Sequence, residues 1–221
     1  MKTNLSDYVL SFLIISFIIV ISLISMNYVS YFTQKLMNQY HVIADLLLFL
    51  LVYGLFSSAI VQLMLKYKPF YPGRYEMDDS LFTYWKLFTV LYEFGRGALL
   101  PFTTVFARPV VAVMFGAKIG KDIALGGKLV DPQLISIGEE AIIGQDSVIT
   151  AHTIVSGAII LQPVKIGARA TVGVNAVLMS GVEIGSDSVV TAGSVVKPDT
   201  IIPEKELWGG VPARKIKDLL V

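Results

Sequence analysis

The chain has two histidines, His41 beside an apolar run and His152 inside the segment ITAHTI. An imidazole titrates near neutral pH, so it can take the proton from a hydroxyl or amine as that group attacks an acyl carbonyl. The chain has no cysteine, which removes a thiolate nucleophile, disulfides and thiolate metal sites. Ser156 and Ser180 have no second histidine to activate them, so His152 acting directly on an acceptor is favoured over a seryl intermediate. A general base of this kind works best when its other ring nitrogen is held. Asp131, Glu139 and Asp146 are the nearby carboxylates, and a backbone carbonyl would also serve.

The element that must position His152 is a stretch with a period of six. Aliphatic residues stand at Ile119, Leu125, Ile137, Ile143 and Ile149, with Asp131 as the one polar break, and again at Ile166, Val172, Leu178, Ile184, Val190, Val196 and Ile202. Glycine often follows, as at Gly120, Gly126, Gly138, Gly144, Gly167, Gly173 and Gly185. Neither a helix nor an alternating strand has that period; a hexapeptide parallel β-helix does, with three short strands per triangular coil and the aliphatic residues stacked inside. Ile149 and Ile166 are 17 apart, so the register slips there, across Val155 to Lys165. If that piece fills two faces of one coil, His152, Arg169 and Asp187 form a column about 4.8 Å per step. Arg169 would then steer an anionic substrate or pair with Asp187.

With these features the chain resembles the hexapeptide-repeat acyltransferases, the left-handed β-helix family that includes sugar O-acetyltransferases and serine acetyltransferase, over roughly residues 116–217. The resemblance implies a left-handed coil, His152 as general base, acetyl-CoA as acyl donor, no metal, and a homotrimer with its sites between neighbouring coils. The tail LWGGVPARKIK is similar to the segment that closes the coenzyme A groove in that family, matching at Trp208, Gly210, Pro212, Ala213 and Arg214, with valine at 211 where asparagine is also common. On that likeness Trp208 packs against adenine or pantetheine, and Arg214, Lys215 or Lys217 meets coenzyme phosphates. The pantetheine arm runs near Ala192 and Gly193. A sister fold, the γ-class carbonic anhydrase, needs three histidines around zinc, and one histidine per repeat domain is too few.

The rest of the chain is strongly apolar. Of 221 residues 54% are hydrophobic, with a net charge of +1, which sets aside nucleic-acid binding and requires lipid contact for part of the chain. Tyr8 to Ser25 carries no charge, and Val42 to Leu65 carries only Asp45, so residues 1–67 read as a two-helix transmembrane hairpin. Lys2, Lys66, Lys68 and Arg74 flank its ends against Lys35 in the loop, which puts both termini in the cytoplasm. Residues 68–116 read as an interfacial helical segment. Lys68 to Asp79 is its linker, then comes a helix with Phe82, Trp85, Phe88, Leu91 and Tyr92 on one face, either lying on the leaflet or packed against protein, and then two short helices around Pro101 and Pro109. Residues 117–206 form the β-helix and 207–221 the closing tail.

The expected fold is therefore mainly β, a left-handed parallel β-helix behind membrane helices. The expected function is transfer of an acetyl group from acetyl-CoA to a hydroxyl of a membrane-associated acceptor, such as a lipid-linked sugar or envelope precursor. An acyl-carrier-protein donor, an amine acceptor and a non-catalytic trimeric scaffold are the alternatives. The apolar hairpin ahead of the repeat is also similar to the C-terminal part of poly-lysine-synthetase-like proteins, which points away from a sugar.

Overall fold

A computed structural model describes residues 4–219. They form two compact units: one holds the residues up to Tyr67 together with Asp78–Thr104, and the other holds Lys68–Met77 with the residues from Val105 onward.

The first unit is helical. Helix α1 spans Leu5–Met37 and α2 spans His41–Tyr67, with the short turn Asn38–Tyr40 between them. Asn38, with a φ of 51° and a ψ of −125°, leaves the helical conformation and stops α1. Ser30 and Thr33 of α1 donate to Asp45 of α2 at 2.7 and 2.5 Å. In one straight helix those residues would lie about 18 Å apart or more, so the chain folds back. Leu5–Tyr67 is long and apolar enough to cross a membrane by length and composition, and side chains such as Phe12, Phe17, Leu23 and Phe32 are exposed along it.

Helix α3, Ser80–Leu99, is started by Asp79, whose carboxylate accepts from the Leu81 N–H at 2.8 Å. Its aromatic face is not laid on a lipid surface. Phe82, Trp85, Phe88, Leu91 and Tyr92 are all buried, and the other helices of the same unit supply the cover. Lys86 of α3 pairs with Asp7 of α1, Tyr84 donates to the Met64 carbonyl of α2 at 2.8 Å, and Gly54 of α2 admits Leu99 so closely that any side chain would collide with it. Helix–helix packing thus claimed the apolar stripe that a surface helix would have presented to lipid.

The second unit is a parallel β-helix of the left-handed type. Its face A stacks Lys118–Ile119, Ile135–Ile137, Val164–Ile166, Glu183–Ile184 and Ile201–Ile202; face B stacks Ala124–Leu125, Ile142–Ile143, Thr171–Val172, Val189–Val190 and Glu206–Gly210; face C stacks Lys128–Val130, Val148–Thr150, Val177–Leu178 and Val195–Val196. The ladders pair Ile119, Ile137, Ile166, Ile184 and Ile202 on A, Leu125, Ile143, Val172 and Val190 on B, and Leu129, Ile149, Leu178 and Val196 on C. Nearly all of these side chains are buried. The glycines after them are required by close stacking: a Cβ on Gly173 would lie 2.3 Å from the Ala192 nitrogen.

The piece around Pro109 is joined to the first coils of the second unit. Helix α4, Arg108–Met114, has proline in its first turn, where no N–H is needed. Arg108 donates to the Gly126 carbonyl at 3.2 Å and to Gln145 Oε1 at 3.3 Å, so it is tied to the first coils of the β-helix. Phe115 beyond α4 is fully buried. This covers the open end of the solenoid, which any β-helix must do.

Candidate functional site

His152 sits at the corner between faces C and A. Asp131 occupies the same corner one coil earlier. It is not the polar break in the aliphatic ladder that the spacing suggests, because Leu129 takes that ladder place opposite Ile149. Asp131 instead turns the chain with a φ of 61°, and Pro132 behind it opens a short helical turn whose Leu134 N–H returns to the Asp131 carbonyl at 3.0 Å. That turn drives the carboxylate inward, leaving its side chain 1% exposed. Oδ2 of Asp131 accepts from Nδ1 of His152 at 2.5 Å, while the imidazole itself is 20% exposed. A proton held on Nδ1 leaves the Nε2 lone pair as the basic site, so the pair fixes both the ring's orientation and its tautomer.

The slip in the register is an antiparallel hairpin. His152–Val155 pairs with Ala158–Leu161, His152 opposite Leu161 and Val155 opposite Ala158. Ser156 and Gly157 connect them with φ of 47° and 80°, the left-handed pair that a tight two-residue turn needs. Ladder neighbours across this corner are normally six apart, as Leu178 and Ile184 are; Ile149 and Ile166 are 17 apart, so 11 residues leave the coil as the hairpin and its base. The hairpin is anchored below: Thr153 Oγ1 lies 2.8 Å from the buried Ser180 Oγ, Gln162 Oε1 accepts from Ser180 at 3.4 Å, and Gln162 Nε2 donates to Asp199 at 2.6 Å.

Because the inserted piece does not fill two faces, His152 is not in a column with Arg169 and Asp187. Those two stack at the corner between faces A and B, both with left-handed backbone, and they bond to each other through Nε and Oδ1 at 2.7 Å and through Nη2 and Oδ2 at 2.8 Å. The bonds from Arg169 hold the Asp187 carboxyl below the usual carboxylate range and in turn raise the guanidinium.

The tail does bring its predicted residues together. Strand Glu206–Gly210 continues face B beside Val189–Val190, and Ala213–Asp218 folds back on it antiparallel. Trp208 Nε1 donates to Glu206 Oε2 at 2.7 Å, and Lys215 Nζ donates to Glu206 Oε1 at 2.6 Å and to Asp218 at 2.7 Å. Lys215 chiefly, then Trp208, keeps Glu206 below its ordinary value; Asp218 and Glu206 raise Lys215. Lys215 is thus engaged within the hairpin, whereas Arg214 and Lys217 are exposed. Ala192 and the left-handed Gly193 are exposed at the corner beyond Val190, one turn from the Gly210 N–H, which donates to Ser194 Oγ at 3.2 Å. Val211 and Pro212 make the turn between the paired Gly210 and Ala213.

Residues 163–198 match the family model described as the hexapeptide repeat of succinyl-transferase. The match falls inside the coil stretch of the second unit. The chain is 32% identical over 152 residues to gamma carbonic anhydrase 2, mitochondrial, of Arabidopsis thaliana, covering 59% of this chain and 54% of that one. It is 29% identical over 157 residues to galactoside O-acetyltransferase of Escherichia coli, covering 59% and 76%. The solved galactoside acetyltransferase in complex with coenzyme A superposes with a TM-score of 0.51 at 18% identity over 72% of this chain and 91% of that one, a likeness of fold. The chain spans about half the length of the first curated relatives it matches.

Proposed function

We propose that this protein is an acetyl-CoA-dependent acyltransferase in which His152 is the general base. The observation that carries the reading is the buried Asp131 carboxylate 2.5 Å from Nδ1 of a partly exposed imidazole, on a hexapeptide-repeat coil. Nε2 takes the acceptor proton, the acceptor oxygen attacks the thioester carbonyl, and backbone N–H groups stabilise the tetrahedral oxyanion. Collapse of the intermediate expels coenzyme A thiolate, which takes up the proton from the imidazolium. Trp208, Gly210, Pro212, Ala213, Arg214 and Lys217, with Ala192 and Gly193, hold the coenzyme, Arg214 and Lys217 at its phosphates. The catalytic unit works as a homotrimer, with each groove shared between neighbouring coils.

The names of two relatives point in different directions, toward acetyl transfer and toward carbonic anhydrase. The residues favour the first, because His152 is the single histidine from residue 117 onward and its Nδ1 is committed to Asp131. The apolar helices α1 and α2 hold the enzyme in a membrane as a hairpin, with the β-helix on the cytoplasmic side where acetyl-CoA is available. An anchored enzyme meets an acceptor that is itself membrane-associated, and a lipid-linked hydroxyl suits that arrangement. Incubating the purified full-length protein with isotopically labelled acetyl-CoA and a membrane lipid extract tests this by mass spectrometry. Labelled acetyl on an extract component is expected; undiminished acetyl-CoA with no labelled product refutes the reading.

A further inference from the structure

The hairpin that carries His152 has a third strand, and it comes from a distant part of the sequence. Gly73–Glu76, in the connector between α2 and α3, pairs antiparallel with Ala158–Leu161: Gly73 opposite Leu161, Arg74 opposite Ile160, Tyr75 opposite Ile159 and Glu76 opposite Ala158. The Met77 N–H adds a bond to the Gly157 carbonyl at 3.2 Å. The sheet order places Ala158–Leu161 in the middle, between the connector strand and the His152 strand.

The alternation of an antiparallel ladder says what this strand holds. Since the Met77 N–H faces the hairpin, those of Tyr75 and Gly73 face it too, and those of Arg74 and Glu76 face away. The same alternation directs the amides of Ile159 and Leu161 toward the connector strand. Across the other side, Gln162 N–H bonds to the Ala151 carbonyl at 2.9 Å, which makes His152 and Leu161 a closely spaced pair without mutual backbone bonds. Leu161 is fully buried and directly opposite His152, and its own backbone is tied on its far side to Gly73. A two-stranded hairpin alone is marginally stable in water, and the third strand removes that weakness.

We propose that Gly73–Glu76 is a positioning strand for His152: it holds the Ala158–Leu161 strand, which sets the imidazole against Asp131 and the incoming acceptor. The step rests on the reading of His152 as general base. It makes the connector following the apolar helices a working part of the catalytic unit, and it explains why Lys68–Met77 belongs to the β-helix unit and not to the helices on either side.

Proline scanning of the full-length protein tests it. Tyr75→Pro removes a ladder N–H, whereas Arg74→Pro removes an outward one; Tyr75→Ala controls for the lost ring, and Tyr75→Gly weakens the strand while keeping its N–H. For Tyr75→Pro, kcat falls about tenfold with little change in KM for acetyl-CoA, as expected for loss of orientation. Hydrogen exchange at the amides of Ile159 and Leu161 speeds up, and the melting of the remaining coils is unchanged. Tyr75→Gly lies between, and Arg74→Pro and Tyr75→Ala stay within twofold of the parent. If Tyr75→Pro does not fold, the Tyr75→Gly variant alone must show the kcat loss and the faster exchange. Unchanged kcat or unchanged exchange in the ladder variants, with His152→Ala inactive, overturns this proposal alone. A fully active His152→Ala overturns it together with the function assigned to the site.

Discussion

Replacing Asp131 by asparagine isolates what the buried carboxylate does. The substitution is nearly isosteric, so the turn at Asp131, with its left-handed backbone, is kept, a conformation asparagine also tolerates. The side chain is 1% exposed and its Oδ2 lies 2.5 Å from Nδ1 of His152, so an amide there still touches the ring. It carries no charge to stabilise the imidazolium, and its NH2 group can donate to Nδ1, which moves the ring proton to Nε2 and removes the base. Comparable loss of an orienting carboxylate in histidine-based enzymes costs up to about 10⁴ in kcat, roughly 5.5 kcal/mol of transition-state stabilisation. In the proposed mechanism the same ring takes the acceptor proton and returns it to the leaving thiolate, so a fall of about 10²–10⁴ is expected, with KM for acetyl-CoA nearly unchanged because the residues proposed to hold the coenzyme are others, on the tail and at Ala192 and Gly193. The assay is release of coenzyme A thiol under saturating donor, with the melting temperature followed in parallel. Asp131→Asn within threefold of parent activity, in a folded protein, would refute the role assigned to the dyad.

Three further outcomes follow from the geometry. Glu206 is held low by Lys215 and Trp208, so its contribution to the closing hairpin is complete above the ordinary glutamate value of 4.5 and is lost as pH falls through its depressed folded value. Lys215 is raised, so its contribution is complete below 10.5 and lost at still higher pH; Trp208 fluorescence in a Trp85→Phe background should stay flat between those limits, and in Glu206→Gln the acid transition should vanish. Gly173→Ala forces a Cβ to 2.3 Å from the Ala192 nitrogen and should cost about 1–3 kcal/mol by thermal or denaturant unfolding, with weakened coenzyme A binding at the displaced Ala192. Arg169→Ala breaks a solvent-screened pair and should leave the melting temperature and turnover close to the parent's; a tenfold or greater loss of turnover would return Arg169 to the substrate site.

The coil was legible because its period is imposed by geometry: each face must turn inward one aliphatic residue, and the stacked glycines leave no space for a side chain. The exceptions were legible only in part. Asp131 falls on the six-residue grid by number, yet a shortened path from Leu125 to Leu129 moves the ladder off it and turns the aspartate into the corner. Three carboxylates and a backbone carbonyl were open as partners of His152, and only the fold distinguishes Asp131 from Glu139 and Asp146. The hairpin did have a local signal, a Ser-Gly pair between the β-branched runs HTIV and AIIL, but the repeat around it favoured reading the insertion as more coil. Its third strand could not be read at all, since Gly73–Glu76 sits in a segment with the proline and glycine content of a linker and finds its partner some 85 residues later. The apolar face of α3 showed that a helix would bury something, without saying whether lipid or protein covers it.

The most direct test of the central claim is turnover by His152→Ala beside the parent enzyme, both full-length and both shown to bind coenzyme A. Loss of acceptor-dependent thiol release by about 10² or more with coenzyme binding retained is the predicted result. Parent-like release from His152→Ala would contradict it.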